Sequence, residues 1–140
     1  MKSILVAVDG SPSSELGISH AAELARALGA KLELVHVVRP VLLATSAYAE
    51  TIAKIDEANR LEAKQVLDAA AKIAKAAGVE STGVTLDGAP AEAIADLAQA
   101  PHVWGVVIGA KGHSAVSRVL LGSVADRLVH ICSKPVLVVR

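Results

Sequence analysis

The sequence predicts an α/β domain: one open, parallel, five-stranded sheet with helices on both faces. Three observations carry this. Short continuous apolar runs such as SILVAV and VWGVVI suit strands buried on both sides. Between them lie segments with helical spacing, so strands and helices alternate along the chain. Glycine and proline punctuate nearly every junction, at positions where helices and strands begin or end.

In order, residues 3–8 (SILVAV) form the first strand and end at Asp9-Gly10. Ser11-Pro12 supplies an N-cap and a proline at the first helical position, and the helix runs to about Leu28 before Gly29. Residues 31–38 (KLELVHVV) form the second strand, closed by Arg39-Pro40. Residues 39–50 lack a period and read as a surface loop. A long helix follows from about Thr51 to Ala77, with Ala63, Val66, Leu67, Ala70, Ile73 and Ala77 on one face. Residues 79–86 make a weaker third strand interrupted by Gly83. Pro90 opens a short helix (AEAIADLAQ), residues 103–108 (VWGVVI) form the fourth strand, a helix spans about Gly122 to Cys132, and Pro135–Val139 is the last strand. The order β-α-β-α-β-α-β-α-β, with no internal repeat or linker, predicts a single domain over 1–140 with right-handed crossovers.

Composition narrows the function. Fourteen basic residues balance fourteen acidic ones, which argues against nucleic acid as a partner because that needs a basic footprint. No apolar run reaches the roughly 18–20 residues that span a bilayer, and the opening MKSILVAVDG reads as a strand rather than a signal peptide. A cytoplasmic protein without a membrane partner is the expectation. Cys132 is the single cysteine, which excludes an internal disulfide and a cysteine-based zinc site; its setting in LVHICSK reads as a buried, inert thiol. With one Trp, one Tyr and no Phe, a flat ligand must rest on aliphatic side chains and backbone.

In open α/β sheets ligands bind beyond the carboxyl ends of the strands, where strand order reverses. Two such ends stand out: Asp9-Gly10-Ser11 and the segment GAKGHSAVSRVLLGSVADRL. The second holds Gly109, Gly112 and Gly122-Ser123. Glycines after a strand let backbone approach a ligand closely, and Ser123 falls where the last helix begins, with its free N–H groups and positive dipole end suited to an anion. Lys111, His113 and Arg118 lie in the same loop and can neutralise a polyphosphate. On residues alone, tight turns and a helix cap explain this segment about as well as a ligand does. Asp9 likewise divides between a turn-forming side chain and a ligand contact. His20, His36, His102 and His130 show no ligand spacing and read as structural or surface groups, and Trp104 as packing at a strand start. No metal site is expected.

The segment resembles the G-x2-G-x9-G-[S/T] signature of the ATP-binding branch of the universal stress protein family, with Gly109, Gly112, Gly122 and Ser123 at the defined positions. ILVAVDGS, LVHVV, LLGSVADRLV and KPVLVV extend the resemblance over the whole chain. It implies a Rossmann-like core of the adenine nucleotide alpha hydrolase type, with adenine and ribose between the ends of strands one, two and four. Ala7, Val8, Asp9 and Val37 would line the adenine side and Ile108 and Gly109 the ribose. Gly112, Gly122, Ser123, Val124 and Ala125, with Lys111, would hold the phosphates of ATP, ADP or AMP, accompanied by Mg2+. It further implies a homodimer through Pro135–Val139, whose unpaired edge is otherwise a liability, and a nucleotide-dependent stress-response regulator. The loop departs from the common Gly-Ser/Thr-His/Arg-Gly form: Ala110 lacks a hydroxyl and Lys111 supplies a point charge.

No nucleophile, base and orienting third group stand together in the sequence, so the expectation is no efficient enzyme and at most slow ATP hydrolysis. An adenylating enzyme of the ATP pyrophosphatase type would need a Ser-Gly-Gly-x-Asp-Ser loop where this chain has Asp9-Gly10-Ser11-Pro12-Ser13-Ser14. A phospho-acceptor receiver would carry its Lys-Pro after the final strand, whereas Lys134-Pro135 precedes one, and Asp87 is its nearest candidate acceptor. A pure interaction module that keeps the motif is the remaining alternative.

Overall fold

Ser3–Ala7 forms β1, Pro12–Leu28 forms α1 and Lys31–Val38 forms β2. Ala49–Ala76 is α2, Ser81–Asp87 β3, Pro90–Ala98 α3, Val103–Gly109 β4, Ser123–Ile131 α4 and Val136–Val139 β5. The computed structural model describes residues 1–41, 46–111 and 120–140. Gly112, His113 and Arg118 lie outside the described residues.

All strand pairings among the described residues are parallel, in the order β3-β2-β1-β4-β5. β1 is central, with Val6 opposite Leu34 on one side and Val107 on the other. The chain first builds outward from β1 to β2 and β3, then crosses to β4 and β5. A constant crossover hand therefore sends α1 and α2 to one face and α3 and α4 to the other. Side-chain alternation along β1 shows the result. Ile4, Val6 and Val8 pack with Ile18, Ala21, Ala22 and Ala25 of α1 and Ala70 and Ala74 of α2. Leu5 packs with Ala91, Ile94, Ala95 and Ala98 of α3 and Ala125 and Leu128 of α4. Both faces being covered explains the unbroken apolar runs.

Local signals set the element ends. Ser11 is the N-cap of α1, its Oγ accepting from Ser14 N at 3.2 Å, with Pro12 in the first turn. Gly29 closes the helix at φ 65°, a conformation that costs a residue with a Cβ. α2 begins earlier than its apolar period suggests. Ser46–Tyr48 form a short 3-10 turn that leads into Ala49, and Glu50 sits in the first turn beside the positive end of the dipole. The expected loop at 39–50 is therefore shorter at its far end, and residues 42–45 of it lie outside the described residues. Trp104 packs against the α1/α2 side of the core, as its place at a strand start suggests. Cys132, the C-cap of α4, is a free thiol that is only half-buried, more open than the buried setting expected from LVHICSK, because it lies just past the last helical turn. No helix among the described residues is long and apolar enough to cross a membrane.

Candidate functional site

Strand order reverses between β1 and β4, and the cleft lies at their carboxyl ends, as expected for an open α/β sheet. It encloses about 540 Å³. Eleven of the twelve residues named from the sequence line it: Ala7, Val8 and Asp9 after β1, Val37 in β2, Ile108, Gly109 and Lys111 at the end of β4, and Gly122, Ser123, Val124 and Ala125 at the start of α4. Gly112, the twelfth, lies outside the described residues.

The floor is tied together by the first turn of α1. Asp9 Oδ1 accepts from Ser11 N at 2.9 Å, an Asx turn, and Asp9 N donates to Ser14 Oγ at 3.2 Å. Ser11 Oγ donates to the Lys111 carbonyl at 3.5 Å, and Ser13 Oγ donates to the Val139 carbonyl at 3.3 Å. Lys111 N in turn donates to Ser13 Oγ at 3.4 Å. The serines after β1 thus clamp the ends of β4 and β5, an engagement that leaves them poorly suited to the phosphate loop of an adenylating enzyme.

Gly109 owes its identity to that clamp. A Cβ there would come within 2.8 Å of the Ser13 carbonyl carbon and closer still to Ser13 Oγ. The close approach it permits is between β4 and α1. Ala110 is buried, its N donating to the Val139 carbonyl and its carbonyl accepting from Gly122 N, each at 2.7 Å. Its side chain does not line the cleft, so the hydroxyl that the common loop carries at this position has no counterpart facing the cavity in this chain. The second bond also joins the two ends of the glycine loop.

Gly122, not Ser123, is the N-cap of α4, and no side chain among the described residues caps that end. The first-turn N–H groups of Ser123, Val124 and Ala125 therefore sit at the cleft wall with no side-chain acceptor among the described residues. They offer donors and a partial positive charge to an anion there.

The cleft also contains residues that sequence reasoning left out of the site, among them Ser11, Ser14, His36, Arg39, Pro90 and Ile94. Ser11 and Pro90 were legible as helix-start residues, and both helix starts happen to open onto the same cavity. His36 Nδ1 donates to the Val8 carbonyl at 2.8 Å, which fixes the ring proton on that nitrogen and couples the ends of β1 and β2. Arg39 follows β2 directly, so its distance from the cleft was fixed once β2 was placed.

The remaining singled-out residues fall elsewhere. His102 Nε2 and Ser3 Oγ both donate to buried Glu33 Oε1, at 2.8 and 2.7 Å, near the amino ends of the strands. His130 is exposed and donates to the Asp126 carbonyl of its own helix. Lys134 Nζ donates to the carbonyls of Ala100 and Val103 at the amino end of β4, whereas Asp87 ends β3 at the opposite side of the sheet, paired with Arg60 at 2.6 Å. A receiver's lysine and acceptor aspartate cannot meet across that separation. No group of three His, Cys, Asp or Glu side chains suited to a metal stands among the described residues.

Comparison with known proteins gives a consistent picture. The family described as "Universal stress protein family" matches residues 1–140. Universal stress protein YxiE of Bacillus subtilis is 31% identical, over 98% of this chain and 97% of that protein. Other curated relatives, 33% identical, are longer, and the chain spans 47% of their length. Universal stress protein UspA from Lactobacillus plantarum superposes with a TM-score of 0.89 at 26% identity, covering 99% of this chain and 97% of that one. The universal stress protein from Archaeoglobus fulgidus in complex with dAMP superposes at 0.77 with 27% identity, covering 100% and 98%.

Proposed function

The chain belongs to the universal stress protein family, and on that premise we propose that its cleft binds an adenine nucleotide, ATP, ADP or AMP. The observation that carries the reading is the convergence of the β1, β2 and β4 ends with an uncapped helix start in one cavity of about 540 Å³. The similar Archaeoglobus protein in complex with dAMP supports it. Adenine sits against Ala7, Val8, Asp9 and Val37, apolar side chains and backbone replacing the aromatic platform the composition lacks. Ile108 and Gly109 flank the ribose. Gly112, Gly122, Ser123, Val124 and Ala125 hold phosphate through N–H groups, the Ser123 hydroxyl adds a donor, and Lys111 adds charge.

The donor set fits a nucleotide better than a protein-held metal. Asp9 is the one carboxylate lining the cleft among the described residues, so Mg2+ arriving with ATP is carried mainly by phosphate oxygens. Its chemistry there is charge neutralisation. No described residue of the cleft stands as a nucleophile with a paired base, which fits a protein that acts by binding, as a nucleotide-dependent stress-response regulator in the cytoplasm with at most slow hydrolysis. It pairs as a homodimer through the free edge of β5.

Native mass spectrometry of gently purified protein tests the ligand class without choosing it in advance. The expected spectrum carries one AMP, ADP or ATP per chain. Protein that neither retains an adenine nucleotide nor takes one up when supplied contradicts the reading.

A further inference from the structure

We propose that a second phosphoryl group of the nucleotide, beyond the one beside Gly122 and Ser123, is held in a side pocket walled by Arg39, Pro90, Glu92, Ser123, Val124 and Arg127. This rests on the reading of the main cleft as an adenine nucleotide site. The side pocket encloses about 150 Å³ and shares Arg39, Pro90, Ser123 and Val124 with that cleft, so the two adjoin.

Two guanidinium groups border the pocket, one at the end of β2 and one in α4. Arg127 Nε donates to Glu92 Oε1 at 2.9 Å, which orients the guanidinium and leaves its two terminal amino groups without an ion-pair partner among the described residues. Arg39 makes no ion pair among the described residues. The Glu92 carboxyl is held below its usual range, chiefly by the hydrogen bond from Arg127, with the charges of Arg127 and Arg39 adding to it. The fields of both cations thus meet at one carboxylate, and two positive charges against one negative leave a surplus. A planar, always-charged guanidinium fork suits phosphoryl oxygens, as it suits carboxylate. Glu92 then acts as the pocket's own anion, which an incoming phosphoryl group must outcompete for the same partner.

That competition separates this role from a simple tie between α3 and α4. If the Arg127–Glu92 pair only joined two helices, Arg127→Gln and Glu92→Gln would act alike. If the pocket takes a phosphoryl group, they act in opposite directions. The second phosphoryl group is either an outer phosphate of the 5′ chain or one on a ribose hydroxyl, so three ligands are needed: AMP, ATP and adenosine 3′,5′-bisphosphate. Both substitutions are at exposed side chains, and thermal melting verifies folding.

In titration calorimetry at low ionic strength, Arg127→Gln should weaken ATP or the bisphosphate about tenfold, the loss expected for one charge-assisted contact, and leave AMP unchanged. Glu92→Gln should strengthen the same ligand. An effect on ATP assigns the pocket to the outer phosphates, and an effect on the bisphosphate assigns it to the ribose. Shifts in the same direction for both variants, no shift for either, or an equal loss for AMP overturn the proposal. If the parent binds AMP, such results remove the side pocket alone. A parent that binds no adenine nucleotide removes the reading beneath it as well.

Discussion

Gly109 and Gly17 face each other across the packing of β4 on α1, and the two glycines do different work. At Gly17 an added Cβ would meet Val107 Cγ1 at 3.8 Å, an ordinary contact, whereas at Gly109 it would meet Ser13 backbone at 2.8 Å. Gly109→Ala should therefore destabilise the fold by about 1–3 kcal/mol, the usual cost of overpacking. Gly17→Ala should be neutral or stabilise by up to about 1 kcal/mol, since glycine is a poor helix residue. Urea denaturation of the two variants checks this, and equal effects would show that the clamp by Ser13 does not constrain β4. The contrast also marks what a sequence can say at this scale. Gly109 was legible as a residue beside the site, but its reason was not, because Ser13 lies 96 residues away along the chain. His36 reads from the sequence as a structural or surface group, and its bond to the Val8 carbonyl is structural, but nothing in KLELVHVV names that partner on the neighbouring strand.

At the scale of elements, apolar runs and punctuation located each strand and α-helix among the described residues to within a few residues. Ends drifted where hydrogen bonding, not hydrophobicity, decides them. β1 stops at Ala7, though Val8 N still donates to the Val35 carbonyl. α2 gains a polar first turn that no apolar period could announce. Its 28 residues extend about 42 Å at 1.5 Å per residue, well beyond strands of four to eight residues. Only its second half is buried, at Ala63, Ala70 and Ala74, so the hydrophobic face was readable there and nowhere earlier. β5 is the opposite case, four residues at an open edge with Leu137 exposed. If this edge pairs two copies, Leu137→Asp should convert dimer to monomer in analytical ultracentrifugation while leaving the helical circular dichroism intact. A parent that sediments as a monomer at micromolar concentration, or a variant that stays dimeric, contradicts pairing through β5.

The whole molecule is two aliphatic cores separated by one sheet, and the cleft forms where the sheet's construction reverses direction. That location follows from strand order alone, which is why eleven of the twelve expected residues meet in one cavity although they come from four places in the chain. Order could be inferred from element alternation together with family resemblance; the side pocket between β2, α3 and α4 could not, because it depends on how two short helices approach each other in space. The uncapped start of α4 joins these scales. Gly122 has φ −59° and ψ 151°, a conformation open to residues with a Cβ, so a larger side chain there crowds the cleft without straining the backbone. Titration calorimetry of ATP and AMP into nucleotide-free parent and Gly122→Val, both shown to be folded by thermal melting, tests the central claim most directly. One saturable site per chain in the parent, lost or weakened at least tenfold in the variant, is the predicted result; no binding by the parent, or equal binding by both, would contradict it.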